Sequence, residues 1–332
     1  MSSQTALKND TTVTVNGTLS FVDYYLPQLL YGTQGLFICL LNGLLFLTIV
    51  VDKSLRKRKE MIVVAGLAGS DFIFGLGTLI YAISRSLVLA NGTSTQKISA
   101  WICALTVQFF LQHFGQHMLT IINFVISLER FVAVAYPVVY MKLNSSDAAY
   151  LLASIGGFCF IDSAVIYFSI YYGSFPAVTA DCPVTVFPPW YSQYFYTLIS
   201  ALGFLSILIY FGVFVAYHRA HSALLSNALN QQSHNAMQRR LTVTVGIVCF
   251  STLFLFTIPY GIFAWGKWTK TYITIGSLLG NMTRMSSIVN VVIYIVRQKE
   301  LRTAMVKLVI HQSKVSTVTS DASRQLRLRT AF

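Results

Sequence analysis

Seven long apolar runs constrain this chain more than any other feature. Each is close to or longer than the about 20 apolar residues with which a helix crosses the hydrocarbon core of a membrane. Only 11% of the residues are charged, against about 25% in soluble domains. We therefore predict an all-α membrane protein, a bundle of seven transmembrane helices. The spans are expected at 29–51, 61–84, 102–134, 148–172, 190–217, 241–263 and 273–295.

The basic residues predict the orientation of this bundle. Of the 24 Lys and Arg residues, 18 fall on one side of the spans and five on the other, and Arg284 lies within a span. The basic side is expected to be cytoplasmic, so the N-terminus is extracellular and the C-terminus cytoplasmic in a multi-pass plasma-membrane protein. The net charge of +13 then reflects topology and contact with the lipid bilayer, and we expect no nucleic acid as partner.

Sequons and cysteines agree with this orientation. Glycosylation sequons begin at Asn9, Asn16 and Asn91, all on the predicted outer side. Two further sequons, at Asn144 and Asn281, fall on the predicted cytoplasmic side and inside the seventh span, where we expect no glycosylation. Cys103 opens the third span and Cys182 lies in the outer loop 173–189. Both face an oxidising compartment, so we expect a disulfide between them.

Four segments carry a resemblance to rhodopsin-like G-protein-coupled receptors over residues 29–310. The third span ends in Leu-Glu-Arg-Phe-Val-Ala-Val-Ala-Tyr-Pro, from Leu128 to Pro137, which resembles the Asp/Glu-Arg-Tyr segment of that family. The others are Asn42, the segment Leu67-Ala68-Gly69-Ser70-Asp71, and Asn290-Val291-Val292-Ile293-Tyr294, in which Val replaces the Pro of Asn-Pro-x-x-Tyr.

Departures from the family pattern narrow the resemblance. The fourth span lacks the Trp of the family, and the fifth lacks its Pro. In the sixth span, Thr257 stands where the family has a Trp that moves on activation. Phe254 or Phe256 would take over that role, or would simply pack against lipid. Cys103 stands 27 residues before Arg130, two more than is usual in the family. The pattern resembles invertebrate receptors, in particular nematode serpentine chemoreceptors.

The resemblance implies a domain organisation and a function. Residues 1–28 would be a glycosylated extracellular tail, 29–296 the receptor domain, 297–310 a short amphipathic eighth helix and 311–332 a cytoplasmic tail. The protein would bind an extracellular small molecule or peptide and activate a heterotrimeric G protein, as a chemosensory receptor without enzymatic activity. The Ser/Thr-rich tail is a candidate site for arrestin.

The coupling residues implied by the resemblance lie at the predicted cytoplasmic end. They are Glu129, Arg130, Phe131, Tyr294 and Arg239. Arg239 stands where many receptors have an acid that restrains the conserved Arg, and two like charges cannot form that bridge. We therefore expect Glu129 to be the partner of Arg130, with weak restraint and measurable basal activity.

Asp71 is expected in a polar cluster inside the bundle, because intramembrane charges are costly. In the family this cluster holds Na⁺, which prefers oxygen ligands. A hydrogen-bonded polar cluster without an ion is the alternative. The cluster residues are Asn42, Asp71, Ser286, Ser287 and Asn290.

The expected ligand pocket lacks the features of amine receptors and opsins. Gln112 stands at the position of the amine-binding Asp, and Arg284 at the position of the retinal Lys, where it cannot form a Schiff base. Arg284 suggests an anionic or strongly accepting ligand, and the alternative is an internal salt bridge or a hydrogen bond to Gln112 or Gln116. Tyr81, Trp265 and Trp268 either line the pocket mouth or anchor the interface. The pocket residues are Gln112, His113, Gln116, His117, Tyr260 and Arg284.

His113 and His117 share one face of the third span, next to Asp162 of the fourth. Such a set can bind a transition metal or titrate near neutral pH. We favour a buried hydrogen-bonded Asp162–histidine pair, since an ionised aspartate needs a partner there, and assign no metal.

Two other classes of protein could form such a bundle, a transporter of small solutes and an intramembrane enzyme. A transporter of small solutes would show repeated halves with interrupted helices, and the sequence has no such repeat. An intramembrane enzyme would need paired catalytic groups, and neither Asp71 nor Asp162 has a partner for such chemistry.

Overall fold

The computed structural model describes residues 21–173, 175–182, 187–224, 247, 250–271 and 275–310. Almost all of this is helical, and two short strands pair near one end of the bundle. In chain order the elements are α1 (Phe21–Val51), α2 (Lys53–Arg56), α3 (Lys59–Ala90), β1 (Lys97–Ile98), α4 (Ala100–Ala104), α5 (Val107–Ala135), α6 (Pro137–Lys142), α7 (Ser145–Tyr172), β2 (Val178–Thr179), α8 (Pro189–Leu224), a π-helical turn (Leu253–Thr257), α9 (Ile258–Thr269), α10 (Gly276–Arg297) and α11 (299–310).

Six of the described helices are long and apolar enough to cross a membrane, namely α1, α3, α5, α7, α8 and α10. They correspond to six of the seven predicted spans. The remaining span, 241–263, is described only at residue 247 and from 250 onwards, where the π-helical turn and α9 continue it. The helices form a ring in which α1 packs on α3 and α10, α8 packs on α9, and α5 contacts α3, α7 and α8.

The first helix begins at Phe21, eight residues before the predicted start of the first span at residue 29. The apolar run marks only the part of a helix that suits hydrocarbon, whereas hydrogen bonding continues the helix through more polar sequence. Pro27 is tolerated in its second turn, where few intrahelical bonds are lost. The helix therefore begins within the predicted tail 1–28, and residues 1–20 lie outside the described part.

The third span is broken, although the sequence predicts one helix over 102–134. α4 ends at Ala104, and α5 starts at Val107 after the extended residue Thr106. This break accounts for the two additional residues between Cys103 and Arg130. Cys103 lies on the short helix α4, so its position does not depend on the helical register of α5.

Close contact between α3 and α5 depends on two glycines. A Cβ atom on Gly115 would lie 2.7 Å from the backbone nitrogen of Phe74, and one on Gly77 would lie 2.7 Å from the backbone nitrogen of Gln112. Any side chain at either position would force the two backbones apart. The contact holds Gln112 and His113 at a fixed depth in the bundle.

The eighth helix, α11, is amphipathic as predicted, but it starts at residue 299 and not at 297. Gln298 has extended backbone and separates it from α10. Leu301 and Met305 are buried against an apolar cluster at the ends of α1 and α3, while Arg302 is exposed. The tail 311–332 lies outside the described residues.

Candidate functional site

A cavity of about 390 Å³ lies at the end of the bundle that carries Cys103. Its wall is formed by α1, α3, α5, α8, α9, α10 and the segment around β2. Aromatic rings dominate this wall, as in most pockets for small molecules. The aromatic lining residues are Tyr31, Phe74, Tyr81, Phe109, Phe187, Phe195, Tyr196, Tyr260 and Phe263.

A disulfide and a small sheet cover this cavity. Cys103 of α4 and Cys182 are bonded, as expected from the sequence, and both line the cavity. β1 and β2 pair in antiparallel fashion next to the bond. Arg85 of α3 forms an ion pair with Asp181, so the segment after β2 is attached to the bundle at two adjacent residues.

Arg284 contributes the main charge in the cavity wall. Its guanidinium carbon lies 4.1 Å from the centroid of the Tyr31 ring, a cation–π contact. Its Nε and Nη1 atoms are buried without a hydrogen-bond partner among the described residues, and it forms no salt bridge there. The expected alternative, an internal bond to Gln112 or Gln116, is not present.

The other unsatisfied polar atoms around the cavity are mainly donors. The amide nitrogens of Gln112 and Gln116 are buried without partners among the described residues, and so is Nε of Arg85. All three residues line the cavity. A ligand with acceptor oxygens would satisfy them, whereas an ammonium group would find no carboxylate among the described lining residues.

Five of the six predicted pocket residues line the cavity: Gln112, His113, Gln116, Tyr260 and Arg284. The sixth, His117, does not. It lies one helical turn further along α5 and packs against Phe195, with 1% of its surface exposed.

Of the three candidate aromatics at the mouth, Tyr81 lines the cavity. Trp265 and Trp268 are about 60% exposed on α9 and take no part in the wall, which agrees with the alternative that they anchor the interface.

Asp162 forms the buried pair that the sequence favours. His113 Nε2 lies 3.2 Å from Asp162 Oδ2 in hydrogen-bond geometry. Tyr191 of α8 also donates to this oxygen, a partner that sequence reasoning missed. The sequence signal was an interfacial run of aromatics, which did not distinguish Tyr191 from its neighbours.

Asp71 is fully buried next to Ser287 of α10. Ser287 lies within reach of the carboxylate, and the side-chain oxygen of Asn42 has no hydrogen-bond partner among the described residues. Asn42 donates its amide nitrogen to the Ile38 carbonyl, so its oxygen is left free. These oxygens are the donor set that a hard cation such as Na⁺ requires. Ser286 and Asn290 of the predicted cluster are buried as well.

At the opposite end of the bundle, Glu129 and Arg130 form no ion pair with one another. Glu129 accepts a hydrogen bond of 2.7 Å from the Tyr140 hydroxyl. Arg130 forms no hydrogen bond or ion pair with the described residues, and Tyr294 and Tyr210 lie close to it. The expected Glu129–Arg130 ion pair is thus not made, and Oε1 of Glu129 accepts from Tyr140 instead. The predicted coupling residue Arg239 lies outside the described residues.

Tyr140 is held in place by a second contact that the sequence did not predict. Lys59 of α3 places its ammonium 3.7 Å from the centroid of the Tyr140 ring and donates to the Leu143 carbonyl. Pro137 begins the short helix α6 and brings Tyr140 back toward α5 one turn later. Burial and the hydrogen bond to Glu129 raise the pKa of the Tyr140 hydroxyl, which therefore remains a donor.

The π-helical turn lies between these two ends. Phe256 is buried against the Tyr260 ring, whereas Phe254 is 44% exposed. Of the two aromatics considered for the role of the toggle, Phe256 thus lies inside the bundle. Thr257 faces α8 at Gly203, where a Cβ atom would lie 2.7 Å from its hydroxyl.

The described residues thus combine helices long enough to span a membrane with a cavity at one end and, at the other, an arginine that forms no ion pair among them. The chain matches the family described as serpentine type 7TM GPCR chemoreceptor Srsx over residues 36–309 and belongs to that family. No curated protein matches the chain. The protein is thus a multi-pass membrane receptor of the chemosensory G-protein-coupled class, whose partners are an extracellular ligand and a G protein.

Proposed function

We propose that this chemoreceptor detects a small anionic or carbonyl-rich molecule that binds in the cavity and contacts Arg284. The observation that carries the proposal is the guanidinium with two buried, unpartnered nitrogens in the cavity wall. An unpaired buried charge is costly, and a carboxylate that accepts two of its hydrogen bonds removes that cost. A volume of about 390 Å³ suits a small molecule better than a peptide.

The orientation follows from the same proposal. The cavity and its disulfide face the extracellular side, and Arg130 faces the cytoplasm, with an external N-terminus and a cytoplasmic C-terminus in the plasma membrane. The distribution of Lys and Arg supports this orientation. A disulfide also forms more readily in the oxidising extracellular compartment.

Ligand binding shifts the population between two packings of the helices. Tyr260 and Phe263 of α9 line the cavity, and the π-helical turn joins α9 to the rest of the sixth span. A ligand that draws these residues toward Arg284 tilts the sixth span and opens a cleft for the G protein next to Arg130. Arg130 has no acidic partner among the described residues, so little energy opposes this opening.

Two further partners belong to the proposal. Na⁺ bound by Asp71, Asn42 and Ser287 stabilises the inactive packing, as the buried oxygens of these residues suggest. The Ser/Thr-rich tail 311–332 is phosphorylated and recruits arrestin to end signalling.

The test is nucleotide exchange on a G-protein panel by the receptor in lipid nanodiscs. A library of carboxylates is compared with the matched amides and alcohols, on the wild type and on Arg284→Gln and Arg284→Lys. We expect carboxylate agonists to lose about 10–100-fold in potency on Arg284→Gln, the equivalent of a charged hydrogen bond of about 1.5–3 kcal/mol, and less on Arg284→Lys.

Surface expression of each variant is measured in parallel. If the agonists are neutral or cationic and keep their potency on Arg284→Gln, the ligand class is wrong. The receptor class would still stand in that case, because it depends on exchange by the wild type alone.

A further inference from the structure

Four buried side chains from three helices meet beside the cavity. His113 and His117 come from α5, Asp162 from α7 and Tyr191 from α8. Their exposed fractions lie between 0% and 8%. His113 alone also lines the ligand cavity, so the cluster forms part of its wall.

The ligand atoms of this cluster are spaced like those around a single ion. His117 Nδ1 lies 2.8 Å and His113 Nε2 lies 3.2 Å from Asp162 Oδ2. One nitrogen or oxygen from each of His113, His117 and Asp162 lies within 4.8 Å of the other two. A tetrahedral zinc site with metal–ligand bonds of about 2.0–2.2 Å places its ligand atoms about 3.3 Å apart, and both nitrogen–oxygen separations are slightly shorter than this value.

Hydrogen bonds alone do not account for this arrangement. Both ring nitrogens of His117 lack a hydrogen-bond partner among the described residues, although Nδ1 is close to Asp162. At 2.8 Å the Nδ1 contact is within ion-pair distance of the carboxylate, whereas Nε2 has no neighbouring polar partner among the described residues. Asp162 Oδ2 meanwhile accepts from His113 and Tyr191. A metal ion would use the free lone pair of His117 as well as the carboxylate charge.

The electrostatics of the cluster favour a cation. Asp162 forms no ion pair with Lys or Arg among the described residues. Its titratable neighbours there are the two histidines, the hydroxyls of Tyr191 and Tyr194, and the thiol of Cys159, none of which is a permanent cation. Aromatic rings surround His113, with Phe187, Phe195 and Tyr191 centroids at 5.2–5.5 Å. In such a dry surrounding a dication and a carboxylate attract each other strongly.

We propose that His113, His117 and Asp162 bind one divalent transition-metal ion of the zinc type, which ties α5 to α7 at the wall of the ligand cavity. Two imidazoles and a carboxylate suit such an ion, whereas Mg²⁺ and Ca²⁺ prefer all-oxygen sites. Tyr191 positions the carboxylate through its hydrogen bond. The fourth coordination position remains for water or for a ligand group.

Zinc binding to the purified full-length receptor in nanodiscs tests this proposal without a ligand or a G protein. Bound zinc is measured by equilibrium dialysis and mass spectrometry, with Mg²⁺ as the control ion. We expect one tight zinc per receptor in the wild type. His117→Gln, which keeps a polar side chain, should lower the affinity by more than the roughly 10–100-fold that loss of an outer hydrogen-bond partner costs a metal site.

Two variants distinguish ligation from a structural role. His117→Cys supplies another zinc ligand and should regain most of the affinity, and Asp71→Asn, the other intramembrane aspartate, should bind zinc as the wild type does. Zinc should also raise the midpoint of thermal unfolding of the wild type and not of His117→Gln. If His117→Gln binds zinc as tightly as the wild type, or no tight zinc is found in the folded wild type, the cluster is a hydrogen-bonded polar group only.

Discussion

Glu129 and Arg130 are neighbours in the sequence, but their side chains do not form an ion pair with each other. The Glu129 carboxylate accepts from Tyr140, and Lys59 packs on the face of the same phenol ring. This leaves Arg130 available at the mouth of the coupling end. The Tyr140 hydroxyl therefore competes with Arg130 for this carboxylate, and a hydrogen bond to a carboxylate is worth about 1.5–3 kcal/mol.

Tyr140→Phe removes that hydroxyl and keeps the ring that Lys59 contacts. Glu129 is then free to pair with Arg130, which stabilises the inactive receptor, so we expect basal nucleotide exchange to fall by about fivefold, the equivalent of about 1 kcal/mol. Exchange is measured without agonist at equal receptor density. Tyr136→Phe is the matched control, and unchanged or higher basal exchange in Tyr140→Phe would contradict the prediction.

We predict that Na⁺ bound at Asp71 lowers the affinity for agonist. Replacing choline chloride by NaCl at constant ionic strength should lower agonist affinity in the wild type by at least about fivefold, because Na⁺ and agonist favour different packings. Asp71→Asn removes the charge that holds the ion and should abolish this sodium effect. The comparison uses radioligand or fluorescent agonist binding, and an equal sodium effect in both proteins would show that Asp71 holds no ion.

At the scale of elements, α5 organises the receptor. It contacts α3, α7 and α8, carries Gln112 and His113 at the cavity, and carries Arg130 near its other end. Its distance from α3 depends on Gly115, because the backbone of Phe74 occupies the space that a side chain at this position would need. A side chain at this one position should therefore displace the whole of α5 relative to α3.

Gly115→Ala should destabilise the receptor by about 1–3 kcal/mol, because the new methyl group would lie 2.7 Å from the Phe74 backbone nitrogen. Gly156→Ala on α7 is the matched control, since nothing lies within 4 Å of its added Cβ and Ala is the better helix former. Thermal unfolding in one detergent compares the two. Equal unfolding midpoints would show that α3 and α5 do not approach each other this closely.

The helices were predictable from the sequence, because an apolar run of sufficient length has few alternatives in a membrane. The break at Leu105 and Thr106 was not predictable, since hydropathy does not register two non-helical residues in an apolar run.

Spacing also placed His113 and His117 on one face correctly. It did not show that only His113 reaches the cavity, because that depends on how deeply α5 is inserted between its neighbours.

At the scale of the whole molecule, charge is separated between the two ends of the bundle. Among the described residues, the ion pairs made by Lys or Arg are Arg58 with Glu60 and Glu300 at the coupling end, and Arg85 with Asp181 at the cavity. The hydrocarbon-facing surface between them is apolar. Because neither end can cross the bilayer once the protein has folded, its orientation is fixed during insertion.

Two exposed sequons report this orientation directly. Asn91 follows α3 at the cavity end, and Asn144 precedes α7 at the coupling end. Both are accessible, so only the side of the membrane should decide which is glycosylated. A receptor in which Asn91 is the one remaining sequon should lose mass on glycosidase treatment, whereas one that retains only Asn144 should not. Glycosylation at Asn144 alone would show that the bundle has the opposite orientation. Arg130 would then lie outside the cell, where no G protein could reach it.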